Sequence, residues 1–210
     1  MRVSVLMEDT SRDSRFLCEH GLSLYLETEE HKILFDTGKS GLFLENAARM
    51  GIDLSKVELG VLSHGHYDHG GGLAAFFSQN RTAPVYLHTG AELGHFSRRK
   101  TGKVEPIGIS VPEGEEGRFV FVSGDRALGP GLLLFDSAGR EFPLPESNQV
   151  LLVREGEAYC CDPFVHEQSL LVQEGESWVL IAGCAHRGIV NMLRRGQELT
   201  GGNIRAVIGG

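Results

Sequence analysis

Four side chains that commonly bind metal ions occur within six consecutive residues of this 210-residue chain. Residues 64–69 read His-Gly-His-Tyr-Asp-His. Imidazole nitrogens and carboxylate oxygens are ligands of Zn²⁺, Fe²⁺ and Mn²⁺. A solvated loop that is rich in histidine is the alternative, but the segment directly follows an apolar run, Val-Glu-Leu-Gly-Val-Leu. We therefore expect a metal site that takes one or two Zn²⁺ ions, with Fe²⁺ or Mn²⁺ as alternatives.

The residues before this segment are predicted to form the strand that positions it. Residues 57–62 have the apolar composition of a buried β-strand. Alternate side chains share a face in an extended backbone, so His64, His66 and Asp68 are expected to point the same way. His69 is offset from that series and is expected to face a second metal site.

The remaining apolar patterns predict a layered fold. Strands are predicted at residues 3–7, 22–28, 32–35, 57–62, 84–87, 118–123, 132–135, 150–154, 169–173, 178–182 and 204–208. Helices are predicted at residues 42–50, after a Ser40 cap and before Gly51, and at residues 71–79 and 188–195. Hairpins followed by strand–helix–strand units indicate an α/β protein of α+β type layering, an αββα sandwich. We expect one domain over residues 1–210.

Composition and charge exclude several classes of protein. Hydrophobic residues make up 41% of the chain, which is enough for a sizeable core. The net charge of −8 argues against nucleic acid as the main partner, because phosphate binding needs a concentrated basic surface. No apolar run approaches the ~18 residues that span a bilayer. We expect no secretory signal, because the residues around the first strand are too short an apolar stretch and run into Glu8 and Asp9. The four cysteines form no Cys-x-x-Cys pair, which favours the cytoplasm. We expect a small-molecule partner, no membrane, and leave a homo-oligomer open.

The His-x-His-x-Asp-His pattern after a strand resembles the signature of the metallo-β-lactamase superfamily. Five further segments resemble one branch of it. They are Glu-His-Gly-Leu-Ser-Leu (19–24), Ile-Leu-Phe-Asp-Thr-Gly (33–38), Asp-Pro-Phe-Val-His-Glu-Gln (162–168), Gly-Cys-Ala-His-Arg-Gly-Ile-Val-Asn (183–191) and Val-Ile-Gly-Gly (207–210). That branch includes the dihydropterin ribofuranosyl-aminobenzene phosphate synthases of methanopterin biosynthesis and many bacterial relatives. The resemblance covers nearly the whole chain and implies the metallo-β-lactamase fold.

The resemblance also implies a ligand set. His64 and His66 would hold the first metal ion together with His186. Asp68 and His69 would hold the second ion. Asp68 is in addition the expected catalytic residue, which would orient an attacking hydroxide or accept its proton.

The chain departs from the family pattern in two places. Cys184 stands where an acidic residue often bridges the two metals, so it is either a thiolate ligand or a small buried residue. The branch usually continues after Val-Ile-Gly-Gly with Phe-His-Leu, whose His completes the second site, whereas this sequence stops at Gly210. We expect an extreme C-terminal segment to be missing and the second site to be weakened. His88, His95 and His166 are the alternative sources of that ligand.

Three further residues are predicted to contact the substrate. His20 precedes a strand, with a capping or core role as the alternative, and Glu167 lies on a loop before another strand. Arg187 would pair with a substrate phosphate or carboxylate, with a surface salt bridge as the alternative. The carboxylate of Asp36 is predicted to accept backbone N–H groups in a turn, and the alternative is orientation of a ligand histidine.

Three functions follow from these expectations. The first is a metal-dependent hydrolase, in which a metal-bound hydroxide attacks a small anionic substrate at a mono- or dinuclear site. The second is a pterin-phosphate synthase or transferase of methanopterin-like biosynthesis, as the resemblance implies. The third is a metal-binding module or a truncated relative without activity. Turnover of generic phosphoester, thioester or lactone substrates would separate the first from the third.

Overall fold

The computed structural model describes residues 1–136 and 141–210. The described chain divides into two compact units. The first unit comprises Met1–Leu87 and Ile109–Val122, and the second comprises His88–Gly108 and Ser123–Gly210. In the described residues no helix is both long and apolar enough to pass through a bilayer.

Strands outnumber helices in the described residues. The strands are β1 (Arg2–Met7), β2 (Ser23–Glu27), β3 (Lys32–Phe35), β4 (Leu59–Val61), β5 (Val85–His88), β6 (His95–Arg98), β7 (Val104–Pro106), β8 (Phe119–Val122), β9 (Arg126–Gly129), β10 (Leu132–Asp136), β11 (Leu151–Glu155), β12 (Ala158–Cys161), β13 (Gln168–Glu174), β14 (Ser177–Ile181) and β15 (Ile204–Ile208). The α-helices are α1 (Leu42–Arg49), α2 (Tyr67–Gly70), α3 (Leu73–Gln79) and α4 (Ile189–Thr200). Short 3₁₀ helices cover Leu54–Lys56, Glu116–Arg118 and Glu146–Val150.

One sheet organises the first unit, with strand order β1-β2-β3-β4-β5-β8. The strands β1 to β3 form the antiparallel hairpins that the sequence predicts, and Leu24 lies opposite Phe35 in their register. The strand β4 then runs parallel to both β3 and β5. A parallel strand in the centre of a sheet is buried on both faces, which explains its uninterrupted apolar sequence. The carboxyl end of β4 leads directly into residues 64–69.

The N-cap of helix α1 lies one residue later than the predicted cap. Gly41 occupies that position, while the hydroxyl of Ser40 accepts a hydrogen bond of 3.2 Å from the backbone N–H of Leu42. Ser40 also donates to Glu19, which draws its side chain away from the usual capping geometry. The helix ends before Gly51, whose φ of +70° is the left-handed conformation that glycine adopts at helix ends.

Two sheets organise the second unit. Their strand orders are β15-β14-β13-β10-β9 and β12-β11-β6-β7. Helix α4 contributes Met192 to a buried cluster with Phe135, Leu171 and Leu180. The helix continues past the predicted end at residue 195 and closes at Gly201, where φ is +69°. The strands β6, β7, β9 and β12 were not predicted.

Candidate metal centre

The predicted metal-binding segment is buried at the end of β4. The relative exposures of His64 and His69 are 0% and 1%, and those of His66 and Asp68 are 4% and 8%. The backbone N–H of Leu62, just before the segment, still bonds to the next strand, so the sheet holds the start of the segment in place. Buried ionisable side chains at such a density require bonded partners or a bound ion.

The extended backbone of the segment gives way to a helix at Tyr67. His66 is still extended, with φ −95° and ψ 146°, but α2 starts at the next residue. The expectation that Asp68 continues the strand-like alternation is therefore wrong. Gly71 makes this tight turn feasible, because a Cβ at that position would overlap the carbonyl oxygen of Lys39. The helix is what brings His69 back against the first sheet.

Asp36 fixes the geometry of the segment from the end of β3. It is fully buried, and its φ of +59° is a conformation that Asp and Asn tolerate better than most residues. One carboxylate oxygen accepts the backbone N–H of Ser63 at 2.7 Å, and the other accepts the Ser63 hydroxyl at 2.8 Å. The second oxygen also lies 2.6 Å from Nδ1 of His69. Asp36 thus does both things considered for it: it binds a backbone N–H and orients a predicted ligand histidine.

This hydrogen-bond chain determines which nitrogen of each imidazole carries the hydrogen. A carboxylate only accepts, so Nδ1 of His69 is the donor and its Nε2 holds the lone pair. The Ser63 hydroxyl donates its only hydrogen to Asp36. It can therefore only accept from Nδ1 of His64, which lies 2.8 Å away. The lone pair of His64 is therefore also on Nε2. Both rings present the nitrogen that a metal ion would need.

The donor set fits a transition-metal ion. Nε2 of His64 lies 3.0 Å from Nδ1 of His66. Two nitrogens bound to one tetrahedral Zn²⁺ at about 2.0–2.1 Å would lie about 3.3 Å apart, so little movement is needed for both to bind one ion. His64 and His69 also offer ligand atoms within 4.8 Å of each other. Imidazole nitrogens together with a carboxylate oxygen are ligands that suit Zn²⁺, Fe²⁺ and Mn²⁺.

Asp68 is linked to the exposed His20. A carboxylate oxygen of Asp68 lies 3.2 Å from Nε2 of His20. The other ring nitrogen of His20, Nδ1, lies 3.1 Å from Asp9. The backbone N–H of Gly21, followed by the hydrogen bond and charge of His20, lowers the pKa of Asp9 below its ordinary value. His20 therefore lies between two carboxylates, at a place open to a solute.

The remaining predicted site residues, His186, Glu167 and Arg187, lie together in the second unit. The two carboxylate oxygens of Glu167 accept the consecutive backbone N–H groups of His186, at 2.8 Å, and of Arg187, at 2.6 Å. Arg187 is 6% exposed and donates to the carbonyl oxygen of Pro163. Because Arg187 is buried with that bond, the alternative of a surface salt bridge is wrong. Contact of Glu167 or Arg187 with a substrate stays a prediction.

His186 is held by its side chain as well as by its backbone. Its ring is stacked on Phe164, with ring centroids 4.2 Å apart and an angle of 15° between the planes. Nδ1 of His186 lies 3.0 Å from Oδ1 of Asn148, and Nδ2 of Asn148 donates to the carbonyl oxygen of His186 at 2.7 Å. These bonds fix both the position and the plane of the imidazole.

The other residues that the sequence left open have defined surroundings. Cys184 is exposed, so its interpretation as a small buried residue is wrong, while thiolate ligation stays a prediction. His88 lies 3.5 Å from Asp136 and is bonded to the carbonyl of Thr89. Burial lowers the pKa of His88, but these two bonds outweigh it, and the pKa is raised overall.

Asp162 joins the other two histidines that were considered as substitute ligands. One of its oxygens lies 3.0 Å from Nδ1 of His95 and 3.2 Å from Nε2 of His166. Burial acts to raise the pKa of Asp162, yet the bonds from His166 and His95 hold it well below its usual range. Burial, in turn, lowers the pKa of His166. These contacts give both histidines a structural role within the second unit, and ligation by either stays a prediction.

Sequence reasoning missed three residues that contact the predicted site. Ser63 adjoins the histidine segment, and a hydroxyl beside a ligand histidine is a signal that could have been used. Asp9 contacts His20 across eleven residues of sequence, and Asn148 contacts His186 across thirty-eight. No local pattern marks those two, because their partners are set only by the fold.

Comparisons with known proteins show the family to which the chain belongs. The family model of the metallo-beta-lactamase superfamily matches residues 18–198. A curated relative from Methanocaldococcus jannaschii is 27% identical over 233 residues, which cover 100% of this chain and 76% of the relative. That relative is a 7,8-dihydropterin-6-methyl-4-(beta-D-ribofuranosyl)-aminobenzene-5'-phosphate synthase.

Solved structures show the same fold. The crystal structure of a metal-dependent hydrolase of the beta-lactamase superfamily is 31% identical, with a TM-score of 0.81 over 99% of this chain and 75% of that one. A quorum-quenching N-acyl homoserine lactone lactonase is 18% identical, with a TM-score of 0.52 over 90% of this chain and 78% of that one, and shares the fold alone. The predicted fold class is confirmed.

Proposed function

Because the chain belongs to the metallo-β-lactamase superfamily, we propose that it is a metal-dependent hydrolase of a small anionic substrate. In this proposal His64, His66 and His186 hold one metal ion, and Asp68 and His69 hold a second. The family consists mostly of enzymes, which supports catalysis, while the ligand set comes from the family resemblance together with the chemistry of these side chains.

The observation that carries the proposal is the buried hydrogen-bond chain that starts at Asp36. It reaches His64 through Ser63, and it reaches His69 directly. A carboxylate that fixes the hydrogen on Nδ1 of a histidine is the usual support of a metal-binding imidazole. Core packing alone needs no buried carboxylate in contact with histidines, since apolar residues would fill the same volume without a desolvation cost.

A metal ion bound there would lower the pKa of a water molecule to about 7 and thus supply hydroxide at neutral pH. The protein residues have separate tasks. In this proposal Asp68 holds the attacking water or takes its proton at Oδ2. His20, 3.2 Å from that atom, can pass the proton to solvent because its side chain is 63% exposed. Asp9 keeps the ring of His20 in this orientation.

Recognition of an anionic group is assigned to Arg187. Its guanidinium is a permanent cation that carries several donors, and Nη1 donates to the carbonyl oxygen of Pro163. Residue 187 directly precedes Gly188, the N-cap of α4, where helical N–H groups also favour an anion. The acidic chain as a whole repels anions, so a local cation is what would select for them.

The test combines metal content with turnover. Purified protein is analysed for metal by plasma mass spectrometry and assayed with phosphoester, thioester and lactone substrates. His66→Ala should lose metal, and Asp68→Asn should lose at least about 100-fold in kcat, as expected for removal of a general base. His31→Ala is the matched control, since that ring pairs with Glu58 in the same unit. Metal-free parent protein, or Asp68→Asn with unchanged turnover, would refute the proposal.

The synthase is the second candidate, and the methanogen relative supports it because the similarity extends over the whole chain. Metal ions held by the same ligands would then bind the phosphate of a phosphorylated pterin. This phosphate would leave as the amine of the ribofuranosyl-aminobenzene phosphate bonds to the pterin carbon that carried it. Incubation with a dihydropterin phosphoester and a ribofuranosyl-aminobenzene phosphate, followed by mass spectrometry, discriminates the two. A product in which the pterin is bonded to the aminobenzene compound supports the synthase. Hydrolysis of the pterin ester alone supports the hydrolase. Metal binding without either reaction would support a non-catalytic metal-binding protein.

The place of action is proposed from the cysteines. We propose the reducing cytoplasm, because the four cysteines form no Cys-x-x-Cys pair in the sequence. The proposed partner is a small molecule, and the oligomeric state is to be measured by light scattering.

A further inference from the structure

Asn148 contacts His186 at two different points, and each contact constrains the other. Asn148 is 8% exposed and lies in the 3₁₀ helix Glu146–Val150. One end of its amide faces the backbone carbonyl oxygen of His186 at 2.7 Å, and the other end faces ring atom Nδ1 at 3.0 Å. The side chain thus binds the main chain and the imidazole of the same residue.

The first contact determines the orientation of the amide. A carbonyl oxygen can only accept, so the amide atom that faces it must be the NH₂ group. The opposite atom of Asn148 is then Oδ1, which is likewise only an acceptor. Nδ1 of His186 must therefore carry the hydrogen, and the lone pair of the neutral ring lies on Nε2. The backbone contact selects the tautomer of the ring.

Two further contacts hold the ring in this state. Phe164 stacks on the imidazole with ring centroids 4.2 Å apart, which fixes its plane. Glu167 accepts the backbone N–H of His186, which fixes the position of its Cα atom. Rotation of the ring to bring Nε2 toward Asn148 would break the stack and the bond at Nδ1 together.

We propose that Asn148 is a positioning residue that keeps the hydrogen of His186 on Nδ1 and so prepares Nε2 to bind the metal ion. This rests on the proposed function, in which His186 is a ligand. The chemistry parallels that of Asp36 at His69, but with a neutral acceptor in place of a carboxylate. Partners of this kind change metal affinity by about 10–100-fold when they are removed.

The alternative is that Asn148 only ties down the loop that carries His186. Asn191 provides the matched control, because it is also buried and its side chain also bonds to backbone atoms of two separate segments. It accepts from the N–H of Phe142 and donates to the carbonyls of Phe142 and Arg187. Asn191→Leu should loosen the same loop while the amide beside the ring stays in place.

The first measurement is the tautomer of His186 in metal-free protein, read by long-range ¹H–¹⁵N NMR with His186→Gln to assign the signal. We expect a hydrogen on Nδ1 in the parent, in Asn191→Leu and in Asn148→Asp, which keeps an acceptor at the ring. Asn148→Leu should lose that signature. A parent ring with its hydrogen on Nε2, or an Asn148→Leu ring with the parent signature, would overturn the proposal.

The second measurement is Zn²⁺ affinity by competition with a chromogenic chelator. We expect a loss of about 10–100-fold in Asn148→Leu and of less than about threefold in Asn148→Asp and Asn191→Leu. Equal losses in the two Leu variants would overturn the positioning role. A parent that binds no Zn²⁺ would instead refute the proposed function, while the NMR result would still decide whether Asn148 sets the tautomer.

Discussion

Replacement of Asp36 by Asn should reverse the direction of the buried hydrogen-bond chain. The Asn oxygen can keep the bond from the backbone N–H of Ser63, but an NH₂ group would face the Ser63 hydroxyl and Nδ1 of His69. Nδ1 of His69 would then have to accept, which moves its hydrogen to Nε2. The Ser63 hydroxyl would accept from Asn and donate to Nδ1 of His64, which moves that hydrogen to Nε2 as well.

The substitution is expected to lower both the stability of the metal-free protein and its affinity for metal. Three bonds to a charged group become three neutral bonds, and a buried charge disappears, so we expect a loss of about 1–3 kcal/mol in the free energy of unfolding. Two predicted ligands lose the accessible lone pair, so metal affinity should fall by about 100-fold, or about 2.8 kcal/mol. Asn tolerates the left-handed backbone at position 36, so strain adds little.

The assay is urea unfolding of the metal-free protein together with Zn²⁺ affinity by chelator competition. Asp53→Asn is the control, since Asp53 caps an exposed 3₁₀ turn of the same unit through Ser55. We expect parent-like metal affinity in that variant. If Asp36→Asn also kept the metal affinity of the parent, the hydrogen bonds that start at Asp36 would not be what sets the imidazole tautomers.

Two further predictions concern stability. The pKa of His88 is raised above 6.5 in the folded state, so its bond with Asp136 stabilises fully below that pH and is lost as the pH rises through the folded value. Between pH 6 and pH 9 the free energy of unfolding, measured with urea, should fall by about 1 kcal/mol more in the parent than in His88→Gln. Parallel pH profiles of the two proteins would contradict this. Gly71→Ala should lower the free energy of unfolding by about 3 kcal/mol, because the new Cβ would overlap backbone oxygens. Gly117→Ala, which has open space around its Cβ, should change the midpoint of thermal unfolding little.

The sequence predicts the features of the fold that depend on local pattern. The hairpin of β2 and β3 follows from the alternation of Leu22, Leu24 and Leu26, and the histidine segment is recognisable because its side chains are adjacent in sequence. The strands β6, β7, β9 and β12 escape prediction because each has only three or four residues, which is too few to show a periodic pattern. Their hydrogen bonds come from distant partners, as when β6 pairs with the much later β11, with Ser97 opposite Leu151.

In the candidate site, too, some features could be predicted from the sequence and others depend on the tertiary structure. The types of the proposed ligands are visible in the sequence, and Asp36 was considered as a support for one of them, but the contacts made by Ser63, Asp9 and Asn148 were not predicted. The helical turn at Tyr67 overrides the extended geometry that the preceding strand suggests, because the Gly71 backbone can pack against the chain at Lys39. Asn148 follows Pro143 and Pro145 in a segment with no regular period, so only the tertiary structure reveals that its amide faces His186.

Glu167 has a consequence for how this site can diversify. Its carboxylate holds the two backbone N–H groups of residues 186 and 187 and is indifferent to the side chains they carry. Any residue except proline can therefore replace Arg187 without losing these two bonds. Under the proposed function, in which residue 187 meets the substrate, a change of charge there would cost the buried bond from Arg187 to Pro163 but not the backbone bond that holds His186 to Glu167. Substrate preference could then change at one position while the neighbouring histidine stays in place.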